Sequence, residues 1–303
     1  MRELLVISGK GGTGKTSLVG AFAALAENKV LADCDVDAAD LHLLLKPTVR
    51  ETHEFYGSKK AVINQGECAR CGRCVQACRF AAVIEHSIAQ PIARCTIGHT
   101  NNDKSYEVNP IYCEGCSVCY HVCPQGAITM EDRLSGHWFI SDTRYGPLVH
   151  ARLGIAEENS GKLVMEVRKA ARTMAEMNGA KYIITDGPPG IGCPVISSMS
   201  GADLALVVTE PTVSGKHDME RILELARYFN VKGVVCINKY DLDEKKSEEI
   251  EQCRDEGIEV VGRIPFDEEV VHALMKGVPM VDHAKYASKA VTQIWERLVE
   301  IIG

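Results

Sequence analysis

The sequence predicts an α/β protein, a doubly wound and mostly parallel sheet with helices on both faces, interrupted by a smaller α+β module. Three observations predict it. Runs such as Ala205-Leu206-Val207-Val208 and Val234-Val235-Cys236-Ile237 are apolar at consecutive positions, so both faces of these strands are buried. Such runs alternate with helical spacings, the order that builds parallel strands with crossover helices. Between residues 62 and 131 the alternation stops, and two cysteine runs of identical spacing take its place.

The elements follow in order. Residues 3–8 are apolar and end in glycines, which reads as a buried strand. Residues 15–27 place Leu18, Val19, Phe22 and Leu25 at helical spacing, and 30–33 form a second short strand. After the cysteine-rich stretch come a strand at 137–141, a helix at 160–178, and strands at 181–186 and 203–209. A helix at 215–229, a strand at 231–238, a helix at 244–256, a strand at 258–264 and a helix at 284–302 complete the pattern. The expected domains are therefore a discontinuous α/β unit, 1–61 and 132–303, and an insert at 62–131.

Of the 303 residues, 46% are hydrophobic and 25% charged, the balance of a globular protein able to bury a large core. The formal net charge of −7 argues against nucleic acid and against an anionic membrane surface as partners. No run of about 18 apolar residues is present, so stable membrane insertion is not expected. The apolar start is too short for a signal peptide, and a cytoplasmic location is the expectation. In a reducing compartment, thirteen cysteines point to metal ligands, catalytic groups or small buried side chains rather than disulfides.

Gly9-Lys10-Gly11-Gly12-Thr13-Gly14-Lys15-Thr16 fits G-x-x-x-x-G-K-[ST] between a strand and a helix, the context this phosphate-binding loop requires. Glycines let main-chain N–H groups converge on phosphate oxygens, and the helix N-terminus adds a favourable dipole. Gly11 to Ser17 are thus the candidate nucleotide contacts. Lys15 is expected at the β- and γ-phosphates and the Thr16 hydroxyl on Mg²⁺.

The loop Lys10-Gly11-Gly12-Thr13-Gly14-Lys15-Thr16 resembles that of the MinD/ParA superfamily of P-loop ATPases, which includes the nitrogenase iron protein. The resemblance implies an ATP-dependent homodimer in which Lys10 reaches the partner's nucleotide and stabilises transition-state charge. It makes Asp33-Cys34-Asp35-Val36-Asp37 the first switch, with Asp35 orienting water, and Asp37 and Asp40 as less supported neighbours. It makes Asp186-Gly187-Pro188-Pro189-Gly190 the second switch, with Asp186 at Mg²⁺ through water. Asn238-Lys239-Tyr240-Asp241 is expected at the base. Those four residues also fit the guanine motif N-K-x-D, whereas the family resemblance and Ile264-Pro265-Phe266 favour adenine, with Pro265 lining its pocket.

Both cysteine runs are C-x₂-C-x₂-C-x₃-C, the bacterial two-cluster ferredoxin pattern, in which the fourth cysteine of each run serves the other cluster. The pattern assigns Cys68, Cys71, Cys74 and Cys123 to one [4Fe–4S] cluster and Cys113, Cys116, Cys119 and Cys78 to the second. Zinc is the alternative, since it also takes four thiolates. Pro124 follows the last cysteine as the pattern expects, while Arg79 stands where a proline is usual. Of the five other cysteines, Cys34, Cys95, Cys236 and Cys253 have no paired spacing, and small buried hydrophobes are expected at Cys236 and Cys253. Cys193 resembles the switch cysteine that holds the shared cluster of the nitrogenase iron protein. Tyr145-Gly146-Pro147-Leu148-Val149-His150 offers no second thiol, so no bridging cluster is expected. The C-terminal helix is not strongly basic on its polar face, and packing on the sheet is expected over membrane targeting.

These features together resemble MinD-type ATPases with an inserted ferredoxin-like module. The resemblance implies Mg²⁺, ATP and two [4Fe–4S] clusters, and a redox or cluster-accepting partner protein. A positioning ATPase with structural clusters and a cluster-assembly scaffold are the alternatives.

Overall fold

Leu4 and Val6 of the first strand face one hydrophobic core and Leu5 and Ile7 the other, which fixes this strand at the middle of a covered sheet. The structure is a computed structural model, and it describes residues 1–87, 104–154, 157 and 160–303. Cys95 lies outside the described residues.

The described elements are, in chain order, β1 (Arg2–Ser8), α1 (Lys15–Leu25), β2 (Lys29–Asp33), α2 (Leu41–Leu45), β3 (Thr48–Ile63), α3 (Arg73–Ala77), β4 (Val83–Ser87) and β5 (Lys104–Val108). Then follow α4 (Val118–Val122), β6 (Ile128–Thr143), β7 (Gly146–Leu153), α5 (Ser160–Met177), β8 (Tyr182–Pro189), α6 (Cys193–Met199) and β9 (Leu204–Thr209). The chain ends with α7 (Val213–Tyr228), β10 (Lys232–Asn238), α8 (Glu244–Glu251), β11 (Glu259–Ile264), α9 (Glu268–Lys276) and α10 (Lys285–Ile302).

The described residues divide into two compact units. The first holds Met1–His53, His137–Leu153 and the chain from 160 onward; the second falls within Glu54–Gly136, with Gly154 and Glu157. The composition change alone had set the limits at 62 and 131.

The large sheet has the order β11-β10-β9-β1-β8-β2-β7-β6-β3, and the strands from β11 through β7 run parallel. This is the doubly wound arrangement that the apolar strands predict. One face is covered by α1, α2 and α10, the other by α6, α7 and α8. Helix α10 buries Val291, Ile294, Leu298 and Ile302, and Trp295 packs on Phe22 and Tyr182 at ring-centroid distances of 5.3 and 5.7 Å. The helix therefore docks on the sheet, as its weakly basic polar face suggested. Among the described residues no helix is long and apolar enough to cross a membrane.

Three differences from the expected elements have physical reasons. The strand expected at 137–141 is the end of the longer β6, which turns at Arg144-Tyr145 into β7. Strand β3 was not anticipated, because an edge strand needs no continuous apolar run and this one is mostly exposed over residues 48–54. The helix expected over 244–256 ends at Glu251 and tightens into a 3₁₀ turn at Gln252–Glu256, stopped by Gly257 at φ 79°.

In the second unit α3 and α4 lie side by side, and β4 pairs antiparallel with β5. Its core is small: Ala61, Ala82, Val83, Tyr106 and Ile128 pack with Cys74, Cys113 and Cys119.

Candidate nucleotide site and cysteine cavities

Strand β1 delivers the chain at Ser8 into the glycine loop, and α1 begins at Lys15. Gly12 and Gly14 sit at φ 81° and 92°, the left-handed region that favours glycine. A side chain at Gly14 would also meet Asn238, whose Nδ2 lies 2.5 Å from the ideal Cβ position. Gly11 and Gly12 are exposed, whereas Thr13 and Lys15 are buried and Thr16 and Ser17 half-buried.

Parallel pairing of β2 with β8 sets Asp33, the last residue of β2, beside Asp186. Lys15 Nζ lies 3.6 Å from Asp35 Oδ2 in a nearly closed environment. Asp33 Oδ1 accepts a hydrogen bond from the Asp35 main-chain N–H at 3.2 Å. Asp33 Oδ2, both Asp186 carboxylate oxygens and Thr13 Oγ1 are buried without a hydrogen-bond partner. Such orphans are costly, and several in one place mark a site built for something else.

Burial, opposed by Lys15 and by the nearby Thr16 hydroxyl and reinforced by Asp35, pushes the Asp186 carboxyl up to about 6. Thr16 approaches Asp186 without completing a hydrogen bond. Asp33 is pushed well above its usual range by burial first, then by Asp186 and Asp35. Asp35 is raised by burial, with Lys15 opposing. A divalent cation with a triphosphate would relieve this acidic crowding. The sequence pointed to Asp35 and Asp186 and set Asp33 within the first switch without a role of its own; its signal was its place as the last residue of an apolar strand. Asp37 and Asp40 are exposed.

The loop after β10 is engaged within the protein. Asn238 Nδ2 donates to the Thr13 carbonyl at 2.8 Å, and its Oδ1 accepts from the Lys239 N–H at 3.1 Å. Its side chain therefore braces the phosphate loop. Asp241 Oδ1 accepts from the Phe266 N–H at 2.7 Å, tying this loop to the one carrying Pro265. Glu210, directly after β9, pairs with both Lys10 and Lys239.

In the second unit the sequence repeat is a structural repeat. Helix α3 starts five residues after Cys68, and α4 starts five after Cys113. Left-handed residues recur at matching offsets: Arg70 and Gly115, Gly72 and Ser117, Ala81 and Gly126. Such reversals turn successive N–H groups toward a common point, the nest geometry of many phosphate and iron–sulfur sites. One small cavity is lined by Cys68, Cys71, Cys74 and Cys123, together with Ile63, Tyr106 and Ile128. A second is lined by Cys78, Cys113, Cys116 and Cys119 with Phe80, Val83 and Met130. Each cavity thus gathers three cysteines of one run and the fourth of the other. The Ala82 N–H donates to Cys78 Sγ at 3.3 Å. Among the described residues no three His, Cys, Asp or Glu side chains converge on a single-ion position.

Of the remaining thiols, Cys34, Cys236 and Cys253 are buried, and Cys193 is exposed at the start of α6.

The chain was compared with known proteins. It is 30% identical over 303 residues to an uncharacterized protein of Methanocaldococcus jannaschii, covering 99% of this chain and 97% of that one. It is 31% identical over 139 residues to the iron–sulfur cluster carrier protein of the same organism, covering 39% of this chain and 46% of that one. Among solved structures, the septum site-determining protein MinD of Pyrococcus horikoshii, complexed with Mg-ADP, superposes with a TM-score of 0.59 over 100% of this chain and 97% of that chain. At 15% identity this last likeness concerns the fold alone. Residues 4–280 match the CobQ/CobB/MinD/ParA nucleotide-binding domain, and with the phosphate loop and its flanking carboxylates in place the chain belongs to that family.

Proposed function

We propose that this protein binds and hydrolyses ATP as a nucleotide-dependent homodimer and couples that cycle to two [4Fe–4S] clusters in its second unit. The observation that carries the reading is the sorting of eight cysteines into two four-cysteine cavities, in a chain whose phosphate loop faces orphaned carboxylates. Main-chain N–H groups of Gly11 to Ser17 and the Lys15 ammonium bind the phosphates. Thr16 and Asp186 hold Mg²⁺, and Asp35 orients the attacking water. Lys10 stabilises charge on the partner's nucleotide. Asn238 keeps the loop in shape, and Pro265 lines the base. The engagement of Asp241 by Phe266 favours adenine over guanine, since a guanine reader needs that carboxylate free.

Cys68, Cys71, Cys74 and Cys123 hold one cluster and Cys113, Cys116, Cys119 and Cys78 the other. Bound clusters would supply one-electron carriers whose potentials depend on nearby charge and hydrogen bonds. Apolar lining keeps water from them, and the left-handed turns aim N–H groups at the sulfurs. Zinc also takes four thiolates, and the iron and acid-labile sulfide content separates the two occupants.

The test is anaerobic purification of the full chain. The reading requires about eight iron and eight sulfide per chain, a broad visible absorption, and Mg²⁺-dependent binding of a fluorescent ADP analogue. A redox titration with and without ATP then measures coupling; a potential that moves on nucleotide binding supports it, and an unmoved one sinks it. The partial likeness to an iron–sulfur cluster carrier favours a second reading, in which the clusters are cargo. Transfer of iron and sulfide to an apo-ferredoxin would select that reading.

A further inference from the structure

Glu210 sits where the two halves of the nucleotide site meet. Its side chain is only 14% exposed, and its two oxygens lie 2.6 Å from Lys239 Nζ and 3.5 Å from Lys10 Nζ. One carboxylate therefore holds a cation from the phosphate loop and another from the loop after β10.

Its main chain cannot move far. The Glu210 carbonyl accepts from the Thr212 N–H at 2.7 Å, and a Cβ at Gly215 would lie 2.4 Å from that same oxygen. Thr209 Oγ1 donates to the Gly215 carbonyl at 2.9 Å, and Thr212 Oγ1 caps α7. The two cations differ. Lys239 makes the shorter contact. Lys10 is more exposed at 38%, and its neighbours Gly11 and Gly12 have open space around their Cβ positions. If Lys10 leaves, Lys239 still neutralises Glu210, so no buried carboxylate is left bare. Lys10 is the mobile partner of the pair and Lys239 the resident one.

We propose that Glu210 is a positioning residue that holds Lys10 inside its own protomer and so sets the nucleotide concentration at which the dimer closes. The inference rests on the reading above, in which Lys10 crosses to the partner's nucleotide. Until a triphosphate offers a competing anion, the Glu210 ion pair keeps the lysine at home. Closure then begins by exchanging one carboxylate contact for a phosphate contact.

The experiment uses the anaerobically purified full chain with its metal content measured. Dimerisation is followed by sedimentation velocity against a non-hydrolysable ATP analogue, and monomer binding by a fluorescent ADP analogue. Glu210→Gln is expected to lower the midpoint for dimerisation about 3- to 5-fold, the scale of a partly exposed ion pair, with ADP-analogue affinity changed less than about two-fold. The shift should vanish in a Lys10→Ala background, which a merely structural role would not predict. Glu210→Asp keeps the charge but shortens its reach, and should move the midpoint in the same direction even if the glutamine variant folds poorly. An unmoved midpoint, or an equal shift without Lys10, overturns the proposal while leaving the parent reading intact. A wild-type chain that stays monomeric with nucleotide removes both.

Discussion

Asp186 brings two carboxylate oxygens into the protein with nothing to bind them, and its proton follows from that. Its pKa in the fold stands above its unfolded value, so the protonated form favours folding. That contribution is present below the unfolded pKa and is lost as pH rises through about 6. Without Mg²⁺ and nucleotide, Asp186→Asn should raise stability at pH 8 by roughly 1–3 kcal/mol and abolish the extra stabilisation that Mg²⁺-nucleotide gives, both read by urea denaturation. His150 acts in the opposite sense. It is buried against Ser141 and beside His42, and burial lowers it to about 4. The unfolded ring takes up its proton first, so stability from the neutral ring is lost as pH falls from about 6.5 toward 4. His150→Gln should flatten the acid limb of a stability–pH curve over that window. Lys15, Thr16 and Asp186 were legible in the sequence because a phosphate loop and a glycine-rich strand end have few other uses. Asp33 was legible only as part of the first switch, since among several aspartates closing a strand the residue type does not say which one caps a turn and which one faces a metal.

At the scale of elements, α6 follows the second switch and its C-terminal end is held by arginines from α5. Arg168 donates to the Ser197 and Ser200 carbonyls at 2.8 and 2.7 Å and to Glu3 Oε1 at 2.8 Å; Arg172 donates to Glu3 and Gly201. Thr185, next to Asp186, also donates to Glu3, at 3.3 Å. Arg168→Leu leaves Glu3 buried with half its compensation and the Ser197 and Ser200 carbonyls at the end of α6 unanswered. It should cost about 3–5 kcal/mol, measured by chemical denaturation. The cysteine helices give a second element-scale expectation. A Cβ at Gly72 would lie 3.2 Å from the Tyr106 hydroxyl, in a residue at φ 72°. Gly72→Ala should destabilise by about 1–2 kcal/mol and, on the proposed cluster reading, lower the iron held by the Cys68, Cys71, Cys74 and Cys123 set. The spacing of the cysteines announced neither helix, since four close cysteines read as a tight loop. Nor did it announce the left-handed turns at Arg70, Ala81 and Ser117, because none of these is a glycine. Strand β3 escaped notice for a related reason, since its exposed half has no apolar period to detect.

At the scale of the whole molecule, β3 and β6 are neighbours in the sheet, and the chain passes from one to the other by way of the second unit. His53 and Trp138, which flank the boundary on these strands, stack at 3.8 Å between ring centroids. Replacing residues 54–136 by a short glycine–serine linker should therefore yield a folded nucleotide-binding unit, with ADP-analogue affinity within a few fold of the parent and no bound iron. Alternating apolar strands made the first unit legible because burial on two faces leaves few choices of residue. The limits of the second unit were less so, as β3 and β6 run through the boundary while the composition changes only later.

The touching rings of His53 and Trp138 have a consequence for ancestry as well. A stretch of coding sequence spliced in where two ends already meet asks for no rearrangement of its host. A chain of this fold can gain or lose such a cassette at one junction without separating the two rings.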